Sequence, residues 1–167
     1  MSRRSLVVPC LLFSSALVAQ NFVYSPSVAA TQAGNSNNIF PFAFSIARYQ
    51  QIHGDLRSRP MPVNELAFRR PAFGVNAGAV ARTLDAQLSM GHGDYATSTA
   101  TFVSNFATPP VVAIVRRMIN LPDNTQPNTN PAQFNVSLPF DQPWVFTGTM
   151  DLVWDLALYA NTSTARR

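Results

Sequence analysis

Residues 150–159 alternate without a break. Met150, Leu152, Trp154, Leu156 and Leu158 fall on one side, and Asp151, Val153, Asp155, Ala157 and Tyr159 on the other. Period two marks a β-strand, whose successive side chains point to opposite faces of a sheet. The pattern predicts a strand that covers a core with its apolar side and meets solvent with the other.

The same period recurs along the chain. In residues 82–90, Leu84, Ala86, Leu88 and Met90 are expected inward, and Thr83, Asp85, Gln87 and Ser89 outward. Phe134, Val136 and Leu138 form a third apolar face, and Leu66 and Phe68 mark a fourth strand after the turn Arg59-Pro60-Met61-Pro62. Residues 42–52 supply a fifth, expected to point Phe44, Ile46 and Ile52 inward and Tyr49 and Gln51 outward. The run at 111–119 starts uniformly apolar, which predicts a central strand buried on both faces. Residues 22–28 add an edge strand, since an edge or a strand end is where Pro26 is tolerated.

Turn-rich stretches at 33–38, 73–78 and 121–132 separate these segments. Only residues 95–106 have room for a helix, and their threonines and serines favour one loose turn capped by Asp94. About seven short strands with long polar loops and no βαβ rhythm predict an all-β fold, an antiparallel sandwich of jelly-roll type. At 167 residues there is room for one domain. The 13 prolines and a charged share of 12%, about half the usual ~25%, argue against a coiled coil.

Residues 1–19 read as a secretory signal peptide. Arg3 and Arg4 give the positive start, residues 6–19 the apolar stretch, and Leu17-Val18-Ala19 a cleavage site, with Ala16 as the other choice. The stretch falls short of the ~20 residues of a spanning helix and contains Pro9, Ser14 and Ser15. Cleavage would remove Cys10, the one cysteine, so the mature chain would form neither a disulfide nor a thiolate metal site. It would leave ten arginines against eight acids, a formal +2. Arg69–Arg70 and Arg116–Arg117 are isolated pairs without interleaved aromatics, which excludes nucleic acid as a partner. Residues 20–160 form the expected single domain and 161–167 a tail. The end of the chain fits either a complete sandwich or the front of a longer protein.

Candidate chemistry is sparse. Asp151 and Asp155 share a strand face, but four residues of strand separate them by about 13 Å, beyond the ~5–9.5 Å of a glycosidase pair. In Met90-Gly91-His92-Gly93-Asp94-Tyr95, His92 and Asp94 are candidate metal ligands beside glycines, against the alternative of a glycine-bent turn with an exposed imidazole. No Gly-x-Ser-x-Gly elbow or phosphate loop is present. Calcium is conceivable in the loops with Asn35, Asn37, Asn38, Asn124, Asn128 and Asn130, though turn formation explains them as well. No cofactor is indicated. Trp144 and Phe146, after Pro143, are candidate ligand-binding aromatics if they lie on the surface, and core residues if they do not.

The segment Gly34-Asn35-Ser36-Asn37-Asn38-Ile39-Phe40-Pro41-Phe42 resembles a group of uncharacterised secreted bacterial exoproteins. These carry such a stretch soon after the signal peptide. The likeness continues through segments like Arg48-Tyr49-Gln50-Gln51-Ile52, residues 83–90, residues 100–105, residues 134–140 and Asp151-Leu152-Val153-Trp154-Asp155, covering roughly residues 24–160. It implies a secreted β-sandwich without an assigned activity, and members continue past the point where this chain stops. No functional residue carries over.

The expected function is therefore an exported, non-catalytic sandwich with a structural or adhesive role outside the cytoplasm, secreted, periplasmic or at the cell surface. Its expected partners are cell-surface or matrix polysaccharide or protein. The alternatives are a carbohydrate-binding module using surface aromatics and a fragment of a secreted hydrolase. An exposed edge strand would also permit self-association.

Overall fold

The structure is a computed structural model that describes residues 22–34, 41–70, 80–125 and 129–162. The signal-peptide reading, most of the Gly-Asn-Ser-Asn-Asn segment, the turn at 73–78 and most of the tail lie outside the described residues. Six strands are described: β1 Ala47–His53, β2 Met61–Phe68, β3 Arg82–Gly93, β4 Val111–Leu121, β5 Val136–Phe146 and β6 Asp151–Asn161. The remaining elements are short 3-10 turns.

The protein is all-β, with two antiparallel sheets ordered β1-β6-β3-β4 and β2-β5. The pairs β1·β6, β2·β5 and β3·β4 are nested. The chain is thus one long antiparallel hairpin whose tip is the β3–β4 connection. It is rolled until β3 also pairs with β6, which is the jelly-roll way of wrapping a sandwich.

The core lies between the sheets. Leu84, Leu88 and Met90 of β3 are fully buried, as are Ile114, Leu138, Phe146, Leu156 and Leu158 or nearly so. Burying each such side chain contributes about 1.5–3 kcal/mol. Trp154 sits at the centre, edge-on to Phe68 of the opposite sheet at 5.5 Å between centroids and tilted against Tyr49 at 5.5 Å.

Four expectations are corrected. Residues 22–28 form no strand; the segment ends in the 3-10 turn Ser27–Ala30, and Tyr24 packs on Phe134 at 5.6 Å. The face assignment of β1 is inverted: Tyr49 lies opposite Leu156 and packs on the core, while Ile46 is exposed. Arg48 and Gln50 face outward instead, because partners for them wait there. The apolar run in β4 is not a central strand. β4 is an edge, and Val111, Val112, Val115 and Met118 are exposed. Asp141 of β5 covers part of that edge by accepting from Val115 N–H at 2.7 Å and pairing with Arg117, a charged guard of the kind edge strands carry. Finally, the outward side of β6 does not meet solvent along its first half: Asp151 and Asp155 are 3% and 4% exposed.

Candidate functional site

What covers those aspartates is the β3–β4 connection, residues 94–110, folded down on the outer face of the four-stranded sheet. Two glycines of β3 permit the approach. A Cβ on Gly93 would stand 2.2 Å from the Asn105 carbonyl oxygen, and one on Gly91 would stand 2.6 Å from the Phe106 ring. Backbone and ring fit only against hydrogen there. The glycines therefore lie within β3 and serve the packing of a loop on a sheet, not a bend around an imidazole.

The connection carries two 3-10 turns, Tyr95–Thr97 and Phe102–Asn105. Asp94 caps the first through Ala96 N–H at 3.0 Å, as the sequence led one to expect. Asp151 fixes the same turn from below, accepting Tyr95 N–H at 2.8 Å and Arg57 Nε at 2.8 Å. Arg57 also stands 3.5 Å from Asp94. The second turn is fixed by Gln50 and Arg48, which Asp155 holds. Arg48 forks onto Asp155 through Nε at 2.9 and 3.1 Å and through Nη2 at 2.7 Å, and its guanidinium lies 5.3 Å from the Phe102 ring centre. Gln50 donates to the Phe102 carbonyl at 3.1 Å and accepts from Asn105 Nδ2 at 2.7 Å. Asn105 in turn accepts Thr99 N–H at 2.7 Å.

Between the two turns and β1 an open recess of about 310 Å³ remains, lined by Gln50, Gln51, Ile52, Tyr95, Ser98, Thr99, Phe102 and Asn105. Every lining residue is uncharged. The Tyr95 side is anchored on Asp151 directly and the Phe102 side on Asp155 through Arg48 and Gln50, so two buried aspartates four residues apart on β6 support the two walls. Sequence reasoning missed this recess. Its one available signal was Asp151 and Asp155 on a shared face, which pointed to solvation or catalysis.

Trp144 and Phe146 are corrected from surface aromatics to core: they are 8% and 0% exposed. The alternation of β5 settles this, since Val136, Leu138, Trp144 and Phe146 share one parity and one buried face. His92 sits with them, nearly parallel to Phe146 at 5.5 Å and tilted to Trp144 at 5.1 Å. Its Nε2 accepts from Thr147 N–H at 3.3 Å, and burial pushes its pKa below the ordinary value. The two proposed metal ligands thus have separate engagements, His92 with Thr147 and Asp94 with Ala96 and Arg57. Among the described residues, no three or more His, Cys, Asp or Glu side chains group as a metal site requires. Of the loop asparagines, Asn124 is buried and accepts from Asn135 Nδ2.

His53 forms the other polar cluster. Trp154 Nε1–H donates to its Nε2 at 2.8 Å. An indole N–H can only donate, so the ring proton sits on Nδ1 and is given to Ser25 Oγ at 2.5 Å. Ser25 then donates to Asp55 at 2.6 Å. Protons in this chain run from the histidine to the serine, the reverse of what an activated nucleophile needs. Burial lowers the His53 pKa, with the Asp55 charge opposing.

No protein-family model matches the chain, and no curated protein or solved structure matches it.

Proposed function

We propose that the chain is an exported, non-catalytic β-sandwich protein with a structural or adhesive role outside the cytoplasm, engaging polysaccharide or protein there. The observation that carries this reading is the chemistry of the recess: an uncharged surface of amides, hydroxyls and rings on two fixed walls. The groups nearby that could do reaction chemistry are already engaged. Asp151 and Asp155 are matched to Arg57 and Arg48, and each histidine has an acceptor nitrogen filled by an N–H donor. Such a surface is suited to holding a ligand, not to moving its protons. The apolar leader and the resemblance to secreted exoproteins support export.

The test has two parts. Expressed from its own first residue, the protein is expected outside the cytoplasm with the mass of residues 20–167; an uncleaved cytosolic chain would overturn export. A glycoside and ester turnover screen is expected to stay at background. Turnover that disappears in His53→Gln or His92→Gln would overturn the non-catalytic reading.

A further inference from the structure

We infer that the recess between β1 and the β3–β4 connection binds a neutral glycan, with Tyr95 as the platform on which a sugar ring stacks. This deepens the adhesive reading and rests on it. A sugar residue offers two kinds of surface: a face of C–H groups, which packs on an aromatic ring, and a rim of hydroxyls that both donate and accept. The Tyr95 ring supplies the first. Tyr95 as a residue is 69% exposed, yet its backbone is fixed by Asp151, and the turn it opens is capped by Asp94. That combination, a bare ring on a held backbone, spends little entropy on binding.

Ser98 and Thr99 supply the second, since hydroxyl side chains give donors and acceptors alike. Gln50 and Asn105 hold each other and form a floor that is already set before a ligand arrives. At about 310 Å³ the recess lies at the low end of the ~300–1,000 Å³ typical of ligand clefts, which suits a short run of sugars crossing an open groove. The charge pattern selects the class. Arg48, against Phe102, is committed to Asp155, and Arg57, at the Tyr95 side, to Asp151, so a carboxylated or sulfated polymer would enter without a free counter-charge.

Affinity electrophoresis of the exported protein in gels containing β-glucan, xylan or mannan, with polygalacturonate as the acidic control, tests this. At least one neutral polymer is expected to retard the protein. Tyr95→Ala should weaken that binding roughly tenfold or more, as loss of an aromatic anchor does. Tyr95→Phe, which keeps the ring, should stay within about threefold of the parent. An exposed ring adds nothing to the core, so both variants should melt with the wild type. Mobility unchanged by every neutral polymer, retardation by polygalacturonate alone, or wild-type binding by Tyr95→Ala would each overturn the assignment. All three leave export and adhesion standing, because those fall only if the chain stays uncleaved in the cytosol.

Discussion

The outer face of the four-stranded sheet carries two Arg–Asp forks of nearly the same geometry. Arg48 meets Asp155 at 2.7, 2.9 and 3.1 Å, and Arg116 meets Asp85 at 2.6, 3.0 and 3.1 Å. Each guanidinium also lies over a ring, Phe102 in one case and Tyr159 in the other. The difference is what lies above. The Asp155 side chain is 3% exposed beneath the β3–β4 connection, whereas that of Asp85 is 19% exposed in the open. Identical contacts thus differ in weight, because a carboxylate shut away from water depends on its partner and one in water does not.

The largest expected effect follows from the covered fork. Asp155→Ala removes the acceptor of three charge-assisted bonds and leaves Gln50 short of one contact. Because Arg48 is itself half-exposed and can hydrate, the loss should be about 2–3 kcal/mol, read as a shift in urea midpoint. A loss no greater than that of Asp85→Ala would break the comparison.

A smaller effect should follow from lifting the cover. Gly93→Ala places a methyl 2.2 Å from the Asn105 carbonyl and 2.7 Å from a Val153 methyl, so the connection must move. Overpacking of this kind costs about 1–2 kcal/mol. Cleavage within residues 94–110 under limited proteolysis should quicken. Unchanged proteolysis would mean that the connection is not held by this contact.

The inner face was legible in the sequence and the outer one was not, for a physical reason. Leu84 to Met90 and Leu152 to Leu158 are buried by period two alone, and that parity also placed Trp154 correctly. The same parity extended along β5 puts Trp144 inside, where its position after Pro143 had opened a surface reading. Burial of Asp151 and Asp155 has another origin: a loop from elsewhere in the chain lies on them, and period two carries no trace of that. The β1 inversion shares this cause. Arg48 and Gln50 face outward because Asp155 and Asn105 receive them, and no hydropathy pattern reports partners 107 and 55 residues away. The glycines at 91 and 93 were visible, but a glycine within a strand signals only that something approaches closely.

The two histidines extend the contrast to pH. Both have folded pKa values below the ordinary ~6.5, His53 through burial under Trp154 and His92 through partial burial beside Phe146. Stability is therefore full above about pH 6.5 and falls as pH drops through that value, since the unfolded chain then takes up protons that the folded one refuses. For His53 the slope should not exceed about 1.4 kcal/mol per pH unit. The aspartates with lowered pKa values, Asp85, Asp123 and Asp141, are held by Arg116, Thr125 N–H and Val115 N–H. They act only below about pH 4, so midpoints between pH 8 and 5 isolate the histidines. His53→Gln should flatten most of the dependence, and a profile that stays as steep would assign it elsewhere.

The smallest effect belongs to the open fork, and it carries the sharpest discrimination. Asp85→Ala is expected to melt with the wild type, because water and salt replace what Arg116 loses. At 1 M salt the screening length is ~3 Å, and a double-mutant cycle between Asp85 and Arg116 should then show no coupling. The cycle between Asp155 and Arg48 should keep most of its own, since ions reach a covered carboxylate poorly. If salt erased both couplings equally, the connection would be admitting solvent to Asp155, and the wall of the recess that Phe102 and Asn105 form would be opening in solution.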